Sequence, residues 1–265
     1  MIFHSAFEPN YLWLPLVGFI IGLLAAIIGG GGGFFFPPIL MLFFKVDAQV
    51  AVATSLAATL PICMVGAIGH YRHNNIDVRM GMIFGAAGIL GALLGASLTG
   101  LMTAETLKTT FGMYSILLAL LMVFNNYRDN RAKAKSKEIP NGLTAGRISR
   151  GSFYGFVGGL ITGTFGTSGT APVLAGLFAL GLPLKLVVGT SLMVIFINTF
   201  SALGAHFLVG QIDMTLVYFL AGGAVIGAFF GARFLANVRI ARKEGSIKSW
   251  YAFAIAFFGL IIIFS

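Results

Sequence analysis

Two short stretches of the chain carry the residue types from which a binding site could be built inside apolar surroundings. One is Gly29-Gly30-Gly31-Gly32-Gly33, followed by Phe34-Phe35-Phe36-Pro37-Pro38; the other is Thr164-Phe165-Gly166-Thr167-Ser168-Gly169-Thr170-Ala171-Pro172. Each opens a short apolar run. Five consecutive glycines cannot hold a helix in lipid, where every freed N–H and C=O needs a partner, so this backbone must be buried in protein or line a cavity. Ser or Thr just ahead of a proline is the pattern of a helix start, with hydroxyls capping free N–H groups and proline accepted in the first turn. A helix N-terminus offers ready donors and about half a positive charge, so two of them converging make an anion site. No Lys or Arg interrupts an apolar run. The anion would then be held by dipoles and hydroxyls alone, weakly enough to be released.

Further polar residues punctuate the runs. Thr54-Ser55 and Thr190-Ser191 open two long runs and could present hydroxyl pairs to the same cavity, although such residues also bond the preceding turn of their own helix. Asn198 follows Ser191 in the second of these runs and could break the symmetry of the path. His70 and His206 end the two runs, where gating or proton coupling competes with plain interfacial solvation as their role. Asp77 and Asp213 stand immediately before the next runs and read as helix N-caps. The candidate substrate-binding residues are therefore Gly30, Gly31, Gly32, Gly33, Thr54, Ser55, Gly166, Thr167, Ser168, Gly169, Thr170, Thr190, Ser191 and Asn198, with His70 and His206 as gating candidates. No apolar run contains Asp or Glu, so a carboxylate relay is missing, and coupling would fall to histidine or to the ligand's own proton.

The elements that must position these residues are membrane helices. Of 265 residues, 58% are hydrophobic and only 9% charged, far below the charge of a soluble domain. Apolar runs cover residues 11–28, 34–44, 50–69, 80–101, 110–124, 151–165, 170–182, 186–207, 214–232 and 250–264. Several reach the roughly 20 residues needed to span; 34–44 and 170–182 are too short and read as broken or re-entrant helices. Gly91 and Gly95, and Gly223, Gly227 and Gly231, are spaced by four as on close-packing helix faces. The single cysteine, Cys63, excludes a disulfide framework and CxxC chemistry, and no cofactor or metal is expected. The start lacks the basic n-region of a cleavable signal peptide.

The net charge of +9 is sorted by position, not spread for nucleic acid. Arg128, Arg131, Lys133, Lys135, Lys137, Arg147 and Arg150 fill one loop, and Arg233, Arg239, Arg242, Lys243 and Lys248 another, so both are expected on the cytoplasmic side. Arg72 and Arg79 fall there too, leaving Lys45, Lys108 and Lys185 outside. The expected location is the cell inner membrane, multi-pass, with both termini outside.

The chain also repeats itself at an offset of 136. Thr54-Ser55-Leu56 matches Thr190-Ser191-Leu192, His70 matches His206, Ile76-Asp77 matches Ile212-Asp213, and Gly30, Gly33, Gly91 and Gly95 match Gly166, Gly169, Gly227 and Gly231. Each half holds five runs, an odd number, so the second half enters the membrane in the opposite sense. The fold expected is an all-α polytopic membrane protein of two inverted-topology repeats, each with a broken or re-entrant short helix pair plus longer transmembrane helices. The first repeat would be 1–124, a basic cytoplasmic linker 125–150, and the second repeat 151–265. Inverted repeats with broken helices at the midplane are the architecture of secondary transporters.

A Gly-rich segment, a TSL on the next helix, a histidine, an Ile-Asp turn and a Gly-rich helix, all present twice, resemble the TauE/SafE family of small bacterial anion exporters. The resemblance covers nearly the whole chain. It implies export of sulfite or an organosulfonate such as sulfoacetate by alternating access, and it maps onto Gly30 to Gly33, Thr54-Ser55, Gly166 to Gly169 and Thr190-Ser191. The partners expected are a small anionic substrate and membrane lipid, not nucleic acid, with a homo-oligomer allowed. Three other readings compete: an anion channel using the same glycine-lined path, a structural membrane subunit, and an intramembrane serine protease in which Gly166-Thr167-Ser168-Gly169 supplies the nucleophile and His206 the base. The duplication of the histidine and the presence of Gly32 at the position equivalent to Ser168 speak against the protease.

Overall fold

The computed structural model describes residues 2–28, 32–131, 144–237 and 244–264. Every apolar run of the sequence is a helix in it. They are α1 (Leu14–Ile28), preceded by a 3-10 turn (Pro9–Trp13), α2 (Phe36–Phe43), α3 (Ala48–Arg72), α4 (Val78–Leu101), α5 (Ala104–Arg131), α6 (Ala145–Phe165), α7 (Thr170–Ala179), α8 (Leu184–Val209), α9 (Met214–Asn237) and α10 (Glu244–Phe264). Two-residue strands β1 (Ile2–Phe3) and β2 (Ile212–Asp213) pair in parallel. Among the described residues, six helices are long and apolar enough to cross a bilayer: Pro9–Ile27, Ala48–Arg72, Val78–Leu101, Ala104–Val123, Leu184–Leu208 and Met214–Phe234. The protein is an all-α, multi-pass membrane protein.

The helices run further than their apolar cores. Arg72 lies in the last turn of α3, Arg79 in the first turn of α4 and Lys185 in the first turn of α8. Caps set the starts: the Asp47 carboxylate accepts from Gln49 N at 2.9 Å and that of Asp77 from Met80 N at 3.1 Å. Asp213 Oδ1 accepts from Thr215 N at 3.0 Å. Both Asp77 and Asp213 are thus N-caps, as their place in the sequence predicts.

Lipid provides no hydrophobic drive between helices, so close backbone approach has to supply the attraction. Glycines provide it. A β-carbon on Gly91 or Gly95 would run into the α6 backbone at Phe156 or Leu160, and one on Gly223, Gly227 or Gly231 into the α1 backbone at Pro15, Phe19 or Leu23. Gly155, Gly159 and Gly163 return the contact from α6 to α4, and Gly18 and Gly22 from α1 to α9. The opposite faces carry exposed Leu90, Leu94, Phe229 and Phe230, as a lipid-facing surface requires.

The contacts also fix direction. α1 runs parallel to α9 and α4 parallel to α6, because residue numbers rise together along both interfaces. α3 and α8 run antiparallel: Ala53 meets Gly210, Gly66 meets Leu192, and His70 meets Gly189. α5 and α10 are antiparallel as well, with Gly112 against Ile263 and Ser115 against Gly259. Two equivalent hydrogen bonds stitch the halves: Asp213 N donates to Thr54 Oγ1 at 3.1 Å, and Asp77 N to Thr190 Oγ1 at 2.8 Å.

One placement differs from the sequence reading. Lys185 was expected on the side opposite Arg72 and Arg79, yet Gly189 packs on Asn75 and Thr190 bonds Asp77, so the start of α8 lies on the same side as those arginines. The reason is that α7 doubles back to where α6 begins, which returns the chain to the basic side before α8.

Candidate substrate site

Both short helices are returns. The Phe44 ring, just past α2, lies 5.6 Å from the Tyr11 ring at the entrance to α1, so α2 carries the chain back to the side where α1 started. In the second half Gly176 of α7 packs on Tyr154 of α6, and Arg147 Nη2 donates to the Leu180 carbonyl at 3.4 Å. α7 therefore runs antiparallel to α6 and ends beside its start. The short segments do not cross fully. Their C-termini lie on opposite sides of the protein and their N-termini point inward.

Those N-termini come together. A β-carbon built on Gly33 would stand 2.7 Å from Thr59 Oγ1 and 3.0 Å from Ser168 N, so the break of the first half touches both the middle of α3 and the break of the second half. Gly32 and Gly166 take the left-handed conformation that turns the chain at each break, with φ of +73° and +65°. Gly30 and Gly31 lie outside the described residues. Gly166 packs on the Val52 backbone and Gly169 on that of Gly158.

Capping of the breaks departs from the expectation of local Ser/Thr caps. The N-caps are Phe35 for α2 and Gly169 for α7, and neither makes a side-chain cap bond. Instead Thr162, one helix upstream, accepts from Gly169 N at 2.9 Å, while Thr170 Oγ1 donates to Ser168 Oγ at 2.8 Å. Thr170 N also bonds the Ser168 carbonyl.

The remaining candidates divide into engaged and unengaged groups. Thr54 and Thr190 accept the inter-half bonds, and Ser191 Oγ donates to Val188 O at 2.8 Å within its own helix. Among the described residues, Ser55 Oγ, Thr167 Oγ1 and both side-chain atoms of Asn198 are buried with no hydrogen-bond partner. So are Thr59 Oγ1 and Thr199 Oγ1, which the sequence reading passed over. Such orphaned groups in a protein core are costly unless something else satisfies them, and those at the breaks, Thr59 and Thr167, mark where a polar ligand would be repaid. Thr59 and Thr199 were hidden by the repeat itself: their equivalents are Ile195 and Cys63. Spacing along one helix was the available signal, since Thr59 stands one turn after Ser55, and Thr199 directly follows Asn198.

The histidines contradict the expectation of interfacial solvation. His70 is 0% exposed and His206 3%. The Nε2–H of His70 donates to Ala26 O at 3.2 Å, and that of His206 to Gly163 O at 2.7 Å. Those carbonyls belong to the last turns of α1 and α6, where the helix has run out of its own donors. Each ring therefore holds a helix end immediately before a glycine-rich break. The same bond gives His206 a partner other than Ser168, whose Oγ accepts from Thr170, so the geometry pairs the two would-be protease residues with different groups.

The profile of the sulfite exporter TauE/SafE family matches residues 14–262. The chain belongs to the TauE/SafE family. It is 30% identical over 223 residues, 83% of this chain and 88% of the relative, to the probable membrane transporter protein YdhB of Bacillus subtilis (strain 168). It is 27% identical to the probable membrane transporter protein YunE of the same organism, over 82% of each chain. A probable membrane transporter protein of Xylella fastidiosa (strain 9a5c) is 28% identical over 82% of this chain and 78% of its own length. No solved structure gives a significant match. This TauE/SafE chain is a membrane transporter.

Proposed function

We propose that this TauE/SafE protein is a secondary transporter that exports a small anion, sulfite or an organosulfonate such as sulfoacetate, across the cytoplasmic membrane. Its two halves are inverted repeats, and the anion sits where their broken helices meet. The observation that carries this is the convergence at Gly33, Thr59 and Ser168: two helix N-termini from opposite halves point inward, beside buried hydroxyls with no partner among the described residues. Helix dipoles and N–H donors favour a negative ligand there, and the unpartnered hydroxyls supply further donors. The antiparallel packing of α3 on α8 and of α5 on α10 supports the inverted arrangement, because equivalent helices related in that way face opposite directions. Alternating access would rock the halves about the site, opening it to each side in turn. The side bearing Arg72, Arg79 and Lys185 is assigned to the cytoplasm, which puts Lys45 and Lys108 outside.

Proteoliposomes holding the purified protein test the proposal. Saturable uptake of sulfite or sulfoacetate, altered by an imposed pH gradient, is the expected result. Uptake indistinguishable from empty liposomes for both anions would remove them as substrates. Single-channel currents in a planar bilayer would replace the carrier with a channel.

A further inference from the structure

Asn198 sets a requirement on the ligand that helix dipoles alone do not. This inference rests on the anion-carrier reading above and specifies which anions it takes. The side chain is fully buried on α8, and neither Oδ1 nor Nδ2 has a hydrogen-bond partner among the described residues. Its amide is seated against glycine on two sides: a β-carbon on Gly88 of α4 would collide with it, and one on Gly158 of α6 would stand 3.9 Å from Nδ2. Gly158 in turn packs against Gly169, the N-cap of α7. The amide thus lies one glycine contact from the inward-pointing end of that helix.

Its level in the protein is equally specific. The contacts Ala53 with Gly210 and Gly66 with Leu192 place Asn198 opposite the middle of α3, near Pro61 and Ile62. Ile62 is also its equivalent in the repeat. At the level where the two halves cross, one therefore offers a carboxamide and the other a hydrocarbon. A symmetric anion site made of N–H and O–H donors needs only acceptors on its ligand. A carboxamide differs, because whichever way the amide is turned, one atom donates and the other must accept. An anion made of acceptors alone satisfies the –NH2 and leaves the buried C=O orphaned.

We infer that Asn198 selects small anions that carry a hydrogen-bond donor of their own, an O–H or N–H, over anions whose only polar atoms are acceptors. A singly protonated oxyanion or a hydroxyalkylsulfonate meets the requirement, and an aminoalkylsulfonate brings an ammonium donor as a net-neutral zwitterion. A plain alkylsulfonate does not meet it, nor does fully ionised sulfite or sulfoacetate, so of the anions named above hydrogensulfite is the one the amide favours. Leaving a buried polar group unpaired costs enough to separate two such ligands by about tenfold or more.

The test compares 2-hydroxyethanesulfonate with propane-1-sulfonate, which has the same charge and nearly the same size but a methyl in place of the hydroxyl. Titration calorimetry or ligand-dependent thermal stabilisation of the detergent-purified protein reads the affinity of each; 2-aminoethanesulfonate distinguishes an N–H from an O–H source. The expected result is at least about tenfold tighter binding of the hydroxyl compound to the wild type, with the ratio falling to near one in Asn198→Leu. Asn198→Ser, which keeps a small polar group, should give an intermediate ratio and serves if the leucine variant fails to fold. Equal affinities in the wild type, or a ratio unchanged in the variants, would overturn the role of Asn198 while leaving the anion site in place. Binding of none of the three would overturn the anion site itself.

Discussion

Gly33 stands where a side chain would press at once on Thr59 of α3 and on the backbone of Ser168, so its substitution tests the meeting of the two halves. Gly33→Val should reduce anion uptake in proteoliposomes to background while the purified protein keeps a monodisperse elution profile; wild-type uptake in the variant would mean that the breaks do not meet at the transport path. His206 makes a different prediction. It terminates α6 by donating to Gly163 O at 2.7 Å, a carbonyl that Thr99 Oγ1 also reaches at 3.3 Å, and losing the nearer donor costs about 1 kcal/mol. His206→Leu should therefore lower the melting temperature in detergent, and His70→Leu should do the same through Ala26. Unchanged melting in both would return the histidines to a purely functional role. Much of this site was legible in residue types: the glycine runs and Ser168 were marked by composition alone. The burial of the histidines was not, because a residue at the end of an apolar run looks solvated until the neighbouring helix end is placed against it. Thr59 was missed because the repeat filters for positions that match, whereas a site shared between halves also uses positions that differ.

At the scale of the elements, the helices were legible from hydropathy because lipid enforces long apolar runs and satisfied backbone. Their contacts were legible from glycine spacing, and Gly91 and Gly95 on α4 and Gly223, Gly227 and Gly231 on α9 proved to be the helix faces in backbone contact. The fold of the short segments was not legible, since crossing and returning give the same local sequence; contacts such as Phe44–Tyr11, Gly176–Tyr154 and Arg147–Leu180 separate them. Packing by backbone approach leaves no room for a methyl. Gly159 abuts the Gly88 backbone, whereas nothing lies within 4 Å of a β-carbon on Gly222. Gly159→Ala should destabilise by about 1–3 kcal/mol through overpacking, and Gly222→Ala should be neutral or mildly stabilising because alanine is the better helix former. Thermal melts of the two variants measure the difference; equal melting would argue against glycine-mediated packing of α4 on α6.

At the scale of the whole molecule, sidedness follows from the two returns. The start of α8 shares a side with the end of α3, so Lys185 belongs with Arg72 and Arg79 and opposite Lys45. In a Cys63→Ala background, cysteines at Lys185 and Arg79 should react with an impermeant thiol reagent from one face of the membrane and a cysteine at Lys45 from the other. Labelling of Lys185→Cys together with Lys45→Cys would contradict the return of α7. The N-terminal residues add an asymmetry: β1 pairs with β2, and Ser5 N reaches Asp213 Oδ1 at 3.3 Å, so the Ile212-Asp213 turn is bound to the start of the chain. The equivalent Ile76-Asp77 turn lies on the other side of the protein.

The central claim is a single site shared by both halves, and Thr59 with Thr167 tests it most directly. One hydroxyl comes from α3 and the other from the α6–α7 break, and both are buried with no partner among the described residues. The half-saturation concentration for sulfite uptake should be measured in proteoliposomes of the wild type, Thr59→Val, Thr167→Val and the double variant, alongside their melting temperatures. Each single change should raise half-saturation about tenfold, the double should raise it by less than the product, and melting should hold or rise because an unpaired hydroxyl has been removed. Half-saturation within twofold of the wild type in both single variants would contradict a shared site.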